Sequence, residues 1–209
     1  ANLNTAVFDP GGVLWFTGQS GILGRLEAAS GHMLVWDAPR GSGPYGIAIS
    51  AQGAVFYASL AGSYVGRIQP AAQPDGTPSV RVLEPPTRDQ GARRIWGDSQ
   101  GNLWVSEWNA GAVARYSPAQ SAWREWPLPG KSPLPYALYV DGQDQVWLSD
   151  FAANALVRFD PRAEQFTSFV LPTRGAAVRQ LAGRHLAGRP QEVWGAESAQ
   201  DKLVVLRLE

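Results

Sequence analysis

Two sets of regularly spaced positions in the sequence carry side chains that could do chemistry. The first set lies three residues after a recurrent aromatic residue and comprises Gly18, Ser59, Glu107, Asp150 and Glu197. The second set opens a recurrent apolar segment and comprises Asn4, Tyr45, Arg93, Tyr136 and Arg179. Carboxylate oxygens are the ligands that Mg²⁺ and Ca²⁺ prefer, and guanidinium groups form paired hydrogen bonds with carboxylates. The two sets therefore predict a site for a small polar ligand or for a cation.

These positions belong to a phrase that recurs along the whole chain at intervals of about 45 residues. Its first part is an apolar segment after a turn, built on an aromatic residue at Trp15, Phe56, Trp104, Trp147 and Trp194. Its second part is an arginine between apolar residues, found at Arg25, Arg67, Arg115, Arg158 and Arg207. Core aromatics at a fixed period predict packing between neighbouring units. We expect the repeated arginines to be structural, bonding carbonyls or the aspartates of the turns at Asp9, Asp98 and Asp141.

Each repeat is typical of four short antiparallel strands, because apolar and polar residues alternate and no helical spacing occurs. Such a period predicts an all-β fold, a β-propeller of five four-stranded blades whose last blade is short. We expect a single domain over residues 1–209, with blades near 1–39, 40–86, 87–130, 131–172 and 173–209. Either the five blades close into a ring, or two further blades are absent and the ring has seven.

The propeller places the two sets of positions together. The beginning of the first strand and the end of the second strand of a blade are neighbours in an antiparallel pair. Both should ring one funnel at the central channel, where propellers present concave sites on rigid sheets. We expect Arg93 to face Glu107 across these two strands. A purely structural alternative has Arg93 and Arg179 pairing with the carboxylates as surface salt links.

The composition limits the partners. The 18 basic and 18 acidic residues cancel, so no long-range field favours nucleic acid, and no apolar run is long enough for a membrane span. The chain has no cysteine, which excludes disulfides and thiolate metal sites. A small-molecule ligand is the expected partner. We expect a periplasmic or secreted location, and a cytoplasmic one stays open.

Several phrases resemble those of the streptogramin B (virginiamycin B) lyase family. They are residues 14–17 (LWFT), 23–26 (LGRL), 43–48 (GPYGIA) and 101–108 (GNLWVSEW). The resemblance implies a seven-bladed propeller that opens a cyclic depsipeptide by elimination across its ester, with a magnesium ion, a histidine base and a glutamate. Glu107 matches that glutamate. Arg93 and Tyr45 stand where the family has histidines, and the two histidines of this chain, His32 and His185, lie elsewhere in the repeats. This chain therefore lacks the histidine that the resemblance implies as the catalytic base.

Three functional hypotheses follow. The first is a carbon-oxygen lyase-like enzyme acting on a cyclic ester or lactone, with Glu107 and Arg93 as catalytic residues. In this hypothesis Arg93 polarises a carbonyl, and Mg²⁺ or Ca²⁺ is held by Glu107, Asp150 and Glu197. The ligand-binding residues are then Tyr45, Tyr136, Arg179 and Asn4.

The second hypothesis is a non-catalytic propeller that binds an anionic or sugar-like ligand or a partner protein. The third is a calcium-dependent lactonase-like hydrolase, which six-bladed propellers of that class suggest. Its calcium would be held by Glu107, Asn154 and Asp150.

Overall fold

The computed structural model describes residues 1–71, 73, 76–184 and 191–208, and His185 lies outside this part of the chain. The described residues form nineteen β-strands and contain no helix that could cross a membrane. The first two sheets comprise β1 (Leu3–Phe8), β2 (Val13–Gly18), β3 (Ile22–Glu27), β4 (Met33–Asp37), β5 (Pro44–Ile49), β6 (Val55–Ser59), β7 (Tyr64–Gln69) and β8 (Ser79–Leu83).

The remaining three sheets follow in the same manner. The third and fourth comprise β9 (Ala92–Gly97), β10 (Leu103–Glu107), β11 (Ala112–Ser117), β12 (Ala122–Pro127), β13 (Pro135–Val140), β14 (Val146–Asp150), β15 (Ala155–Asp160) and β16 (Gln165–Val170). The fifth comprises β17 (Val178–Arg184), β18 (Gln191–Glu197) and β19 (Lys202–Leu208).

Every sheet is an antiparallel meander in which strands pair in chain order, with four strands in each of the first four sheets and three in the fifth. The first strands β1, β5, β9, β13 and β17 contact one another in succession, so they form the inner layer of the assembly. The all-β, propeller-type fold with a short last repeat is therefore confirmed, and each sheet lies within one of the predicted blade ranges.

The hydrophobic core is divided into clusters between consecutive sheets. Trp104, for example, packs with Leu138 and Leu148 of the fourth sheet, and Trp147 packs with Val178 and Leu181 of the fifth. Trp15 and Phe56 occupy the same place at the two preceding interfaces. The predicted position of the repeated aromatic residues between neighbouring blades is therefore correct for the first four sheets.

The turn aspartates bind the aromatic residues rather than the arginines. The indole Nε1 atoms of Trp15, Trp104 and Trp147 donate to the carboxylates six residues earlier, at 2.8, 3.0 and 2.8 Å. Three of the repeated arginines, Arg67, Arg115 and Arg158, instead lie over aromatic rings, with 5.8 Å between the Arg115 guanidinium carbon and the Trp104 ring centroid. The other two form ion pairs, Arg25 with Glu27 and Arg207 with Glu192. Our expectation that the arginines bond these aspartates was wrong, because a buried indole N–H requires an acceptor of its own.

Candidate functional site

A β-bulge in the first strand of every sheet builds the site. In the third sheet Ala92 is opposite Glu107 and Ile95 is opposite Val105. The two residues Arg93 and Arg94 therefore face one residue of β10, Ser106. The same shift occurs in the other four sheets. The five bulges begin at Asn4, Tyr45, Arg93, Tyr136 and Arg179. A bulge redirects side chains out of the ladder, and here a bulge begins at all five positions of the second set, which comprises Arg93 and the four predicted ligand-binding residues.

Hydroxyl groups tie three of these bulges to the neighbouring sheet. Thr17 donates to the carbonyl of Tyr45, Ser106 to that of Tyr136 at 3.0 Å, and Ser149 to that of Val178 at 2.7 Å. The bulge of the third sheet, at Arg93, is instead approached closely by the backbone of the second sheet. A Cβ atom on Gly46 would lie 2.9 Å from the carbonyl oxygen of Arg93, so only glycine fits there.

Arg93 lies among aromatic rings. Its guanidinium carbon is 3.6 Å from the ring centroid of Tyr136 and 4.7 Å from those of Tyr45 and Trp108. Its Nη2 donates to the Tyr45 hydroxyl at 3.3 Å, and that hydroxyl is hydrogen-bonded to the hydroxyl of Tyr136. Each such cation–ring contact contributes about 0.5–2 kcal/mol. Three of the predicted residues therefore meet in one place.

Two aromatic residues of this site were missed by the sequence analysis. Phe151 stacks on Tyr136 with ring centroids 4.7 Å apart, and Trp108 contacts both rings edge-on. Both residues come directly after a predicted carboxylate, at the same place in two consecutive repeats. This shared position in two repeats was the sequence signal that could have identified them as site residues. We refer to the group as the ring cluster, which comprises Tyr45, Arg93, Trp108, Tyr136 and Phe151.

A second arginine, also missed, connects the ring cluster to the first and fifth sheets. Arg94 donates to the Thr5 hydroxyl at 2.6 Å and to the carbonyl of Arg179 at 3.4 Å, and Thr5 in turn donates to Asn4 at 2.8 Å. The Arg179 guanidinium is 6.0 Å from the Tyr136 ring centroid. The structure thus brings the whole predicted ligand-binding set together.

Glu107 does not join the ring cluster, which corrects the expectation that it faces Arg93. Strand alternation explains this. The Ser106 hydroxyl reaches the fourth sheet, so Val105 and Glu107 project to the opposite face, toward the second sheet. Glu107 is fully buried, and neither carboxylate oxygen has a hydrogen-bond partner among the described residues. Burial raises the pKa of Glu107 to about 9, and the negative charge of Glu125 acts in the same direction.

The other predicted metal ligands do not fit a cation site. One oxygen of Asp150 accepts hydrogen bonds from the backbone N–H groups of Leu134, Ala152 and Ala153, so it holds its own turn. Asn154 also bonds only backbone groups: its Nδ2 donates to the carbonyl of Thr173 at 2.8 Å, and its Oδ1 accepts from the N–H of Ala176 at 3.0 Å. Among the described residues, no group of three carboxylates or histidines could hold a metal ion. Within the described part of the chain, the carboxylates of Glu107, Asp150 and Glu197 therefore do not form a metal centre. The calcium alternative with Asn154 fails as well, because Asn154 and one Asp150 oxygen bond backbone groups.

The site presents positively charged guanidinium groups surrounded by phenol and indole rings. None of the ion pairs between described residues includes Arg93, Arg94 or Arg179. The Nε atoms of Arg93 and Arg94 are buried without a hydrogen-bond partner. Burial lowers the pKa of Arg94, although Tyr45 and Tyr136 oppose that shift. An N–H group that is buried without an acceptor is costly, and an anion or a polarised carbonyl oxygen beside these guanidinium groups would offset the cost.

The radial sheets and the arginine-lined centre define the class as a β-propeller with a polar site at its inner strands. Within that class, the family model described as the virginiamycin B lyase family matches residues 1–206, and the chain belongs to this family. No curated protein matches the chain.

Solved structures share the fold at low sequence identity. A catalytically inactive variant of virginiamycin B lyase from Staphylococcus aureus with quinupristin has a TM-score of 0.84 at 21% identity, with 98% of this chain and 69% of that chain covered. A streptogramin B lyase has a TM-score of 0.79 at 19% identity, covering 99% and 69%. Dihydro-heme d1 dehydrogenase in complex with DHE has a TM-score of 0.73 at 12% identity, covering 99% of this chain and 45% of that chain.

Proposed function

We propose that the ring cluster binds a small ligand of the cyclic ester or lactone class, with Arg93 directed at an ester or carboxylate oxygen. The observation that carries this proposal is the convergence of Arg93, Arg94 and Arg179 without a carboxylate partner among the described residues. Guanidinium groups bind carboxylate and carbonyl oxygens through paired hydrogen bonds. The rings of Trp108 and Phe151 offer apolar surface to the rest of such a ligand.

A carbon-oxygen lyase activity is the second candidate, and membership of the virginiamycin B lyase family favours it. Elimination across an ester generates a carboxylate, whose developing charge Arg93 is suited to stabilise. The activity needs no water. It therefore differs from lactone hydrolysis in the mass of the product, which stays unchanged on elimination and gains one water on hydrolysis.

The binding proposal is tested with quinupristin as the probe, by isothermal titration calorimetry. We expect Arg93→Ala to weaken binding at least about tenfold, which corresponds to about 1.4 kcal/mol. Arg162→Ala is the matched control, because Arg162 is exposed on the turn between β15 and β16, and it should leave the affinity unchanged. Equal affinity in both variants would remove Arg93 from the site.

Mass spectrometry of the same mixtures separates the functional classes. A linear product of unchanged mass indicates a lyase, a product heavier by one water indicates a hydrolase, and binding without product indicates a non-catalytic receptor. Because the carboxylates do not converge, we expect a chelator to leave quinupristin binding unchanged. Loss of binding on chelation, restored by Mg²⁺ or Ca²⁺, would support a cation site instead.

A further inference from the structure

The hydroxyl groups of Tyr45 and Tyr136 are bonded to each other but are not equivalent. Arg93 donates a hydrogen bond from Nη2 to the Tyr45 oxygen at 3.3 Å, whereas it lies over the ring face of Tyr136 at 3.6 Å. A guanidinium can only donate. A negative charge on the Tyr45 oxygen would therefore receive one hydrogen bond from a cation and a second from the Tyr136 hydroxyl. Tyr136 has no comparable donor among the described contacts.

The charged groups around Tyr45 all favour the same protonation state. Arg93 and Arg94 on β9 lie 4.7 and 5.0 Å from the Tyr45 ring centroid. Arg179 on β17 approaches the adjoining Tyr136 ring, and β1 contributes only the uncharged Asn4 and Thr5. Burial raises the pKa of Tyr45, but the hydrogen bond from Tyr136 and the charge of Arg93 outweigh it, so the pKa lies below its ordinary value.

We propose that Tyr45 is the general base of the ring cluster, taking the proton from the carbon next to the one that bears the ester oxygen in the elimination considered above. This inference rests on the proposed function. The Tyr45 phenolate takes the proton from that carbon, and the C–H electron pair forms a carbon–carbon double bond. The neighbouring carbon–oxygen bond breaks, and its electron pair leaves on the ester carboxylate beside Arg93. No water is consumed, and Tyr45 returns its proton to solvent.

Ionisation of Tyr45 is measured without any substrate. Protein labelled with ¹³C at the tyrosine Cζ position is titrated by nuclear magnetic resonance, because this resonance moves when the phenol ionises. We expect one resonance to titrate before those of the other tyrosines and to be absent from Tyr45→Phe. Arg93→Gln and Tyr136→Phe should move that transition to higher pH. An early transition that persists in Tyr45→Phe, or no early transition at all, overturns the proposal.

Turnover of quinupristin supplies the second readout, followed by the appearance of the unsaturated product of unchanged mass. We expect Tyr45→Phe to lower kcat at least about 100-fold while binding persists, since positioned proton transfer contributes about 10²–10⁴-fold. Tyr139→Phe is the matched control, because Tyr139 lies on β13 but packs against Trp96 away from the ring cluster. Full activity in Tyr45→Phe overturns the proposal.

The two proposals fail differently. Binding of quinupristin without turnover between pH 6 and pH 10 overturns the base role of Tyr45 and leaves the binding proposal standing. If Arg93→Ala binds quinupristin as tightly as the native chain, the binding proposal itself fails.

Discussion

At the level of single residues, the arginines of the site and the carboxyl group of Glu107 lie in different environments. Arg93 and Arg94 are half-buried, Arg179 is exposed, and all three face aromatic rings. Glu107, in contrast, is enclosed between the second and third sheets. Its neighbours in the ladder are Ala92 and Ala112, whose methyl side chains carry no hydrogen-bond donor. An enclosed carboxyl group without partners is more stable in its neutral form. Glu107 is therefore a source of pH-dependent stability rather than a ligand at the funnel.

We predict that Glu107→Gln reduces the dependence of stability on pH. The pKa of Glu107 is raised from 4.5 to about 9 in the folded chain, so the favourable contribution is complete below the unfolded value and is lost as the pH rises to about 9. Across that interval the native chain should lose up to about 1.4 kcal/mol per pH unit relative to the variant. Urea unfolding at pH 5, 7 and 8.5 measures the difference.

Glu164→Gln is the control for this comparison, because Glu164 is exposed and paired with Arg124 on the surface. It should follow the native chain at every pH. If the native chain and Glu107→Gln show parallel profiles instead, Glu107 is not neutral in the folded state.

At the level of elements, the second sheet departs from the pattern of its neighbours. Where the first, third and fourth sheets have a tryptophan bonded to an aspartate, this sheet has Phe56 and Ser50. A pocket of about 350 Å³ opens beside these two residues, at the junction of the second and third sheets, and Arg67 and Asn102 also line it. The phenyl ring of Phe56 is smaller than an indole, and Ser50 offers no carboxylate to bind an indole N–H. Both differences reduce the packing at the interface between the second and third sheets.

We predict that the double substitution Phe56→Trp with Ser50→Asp stabilises the chain. The indole would extend toward the pocket and regain the acceptor that it has in the first, third and fourth sheets, for an expected gain of about 0.5–2 kcal/mol. Thermal and urea unfolding measure it. Phe56→Trp alone is the control and should gain less, since its N–H lacks the carboxylate. A double variant no more stable than the single one contradicts the role assigned to the aspartate–indole bond.

At the level of the whole molecule, the assembly of sheets leaves two outer faces. One face of the first sheet packs on the second sheet through Trp15 and Leu23. Its opposite face shows exposed apolar residues, including Phe8 at 59%, Met33 at 56% and Val35 at 49%. On the fifth sheet Leu203 is 73% exposed. Within the described residues no hydrophobic cluster joins the first and fifth sheets.

We predict that this 209-residue chain associates with itself as its concentration rises, because contiguous exposed apolar surface promotes association. Met33→Lys with Val35→Lys should lower the average mass measured by light scattering after size exclusion. Val170→Lys is the control, since Val170 is 77% exposed but lies on the fourth sheet, apart from this face. A mass that does not change with concentration in the native chain would contradict the prediction.

The sequence by itself determined the strands, the five repeats, the position of the repeated aromatics between sheets and the convergence of Tyr45, Arg93 and Tyr136. These features follow from residue period, because an alternating pattern identifies the buried face of a strand and a fixed spacing places equivalent residues in equivalent positions.

Only the tertiary structure decided where the side chains of the site point. The bulge in β9 directs Arg93 and Arg94 to the centre. The alternation of side chains along β10 directs Glu107 away from it. The bulges are held by hydrogen bonds and close contacts between neighbouring sheets, such as the bond from Ser106 to the carbonyl of Tyr136. Such contacts join residues of different repeats, and the local pattern of one repeat does not encode them.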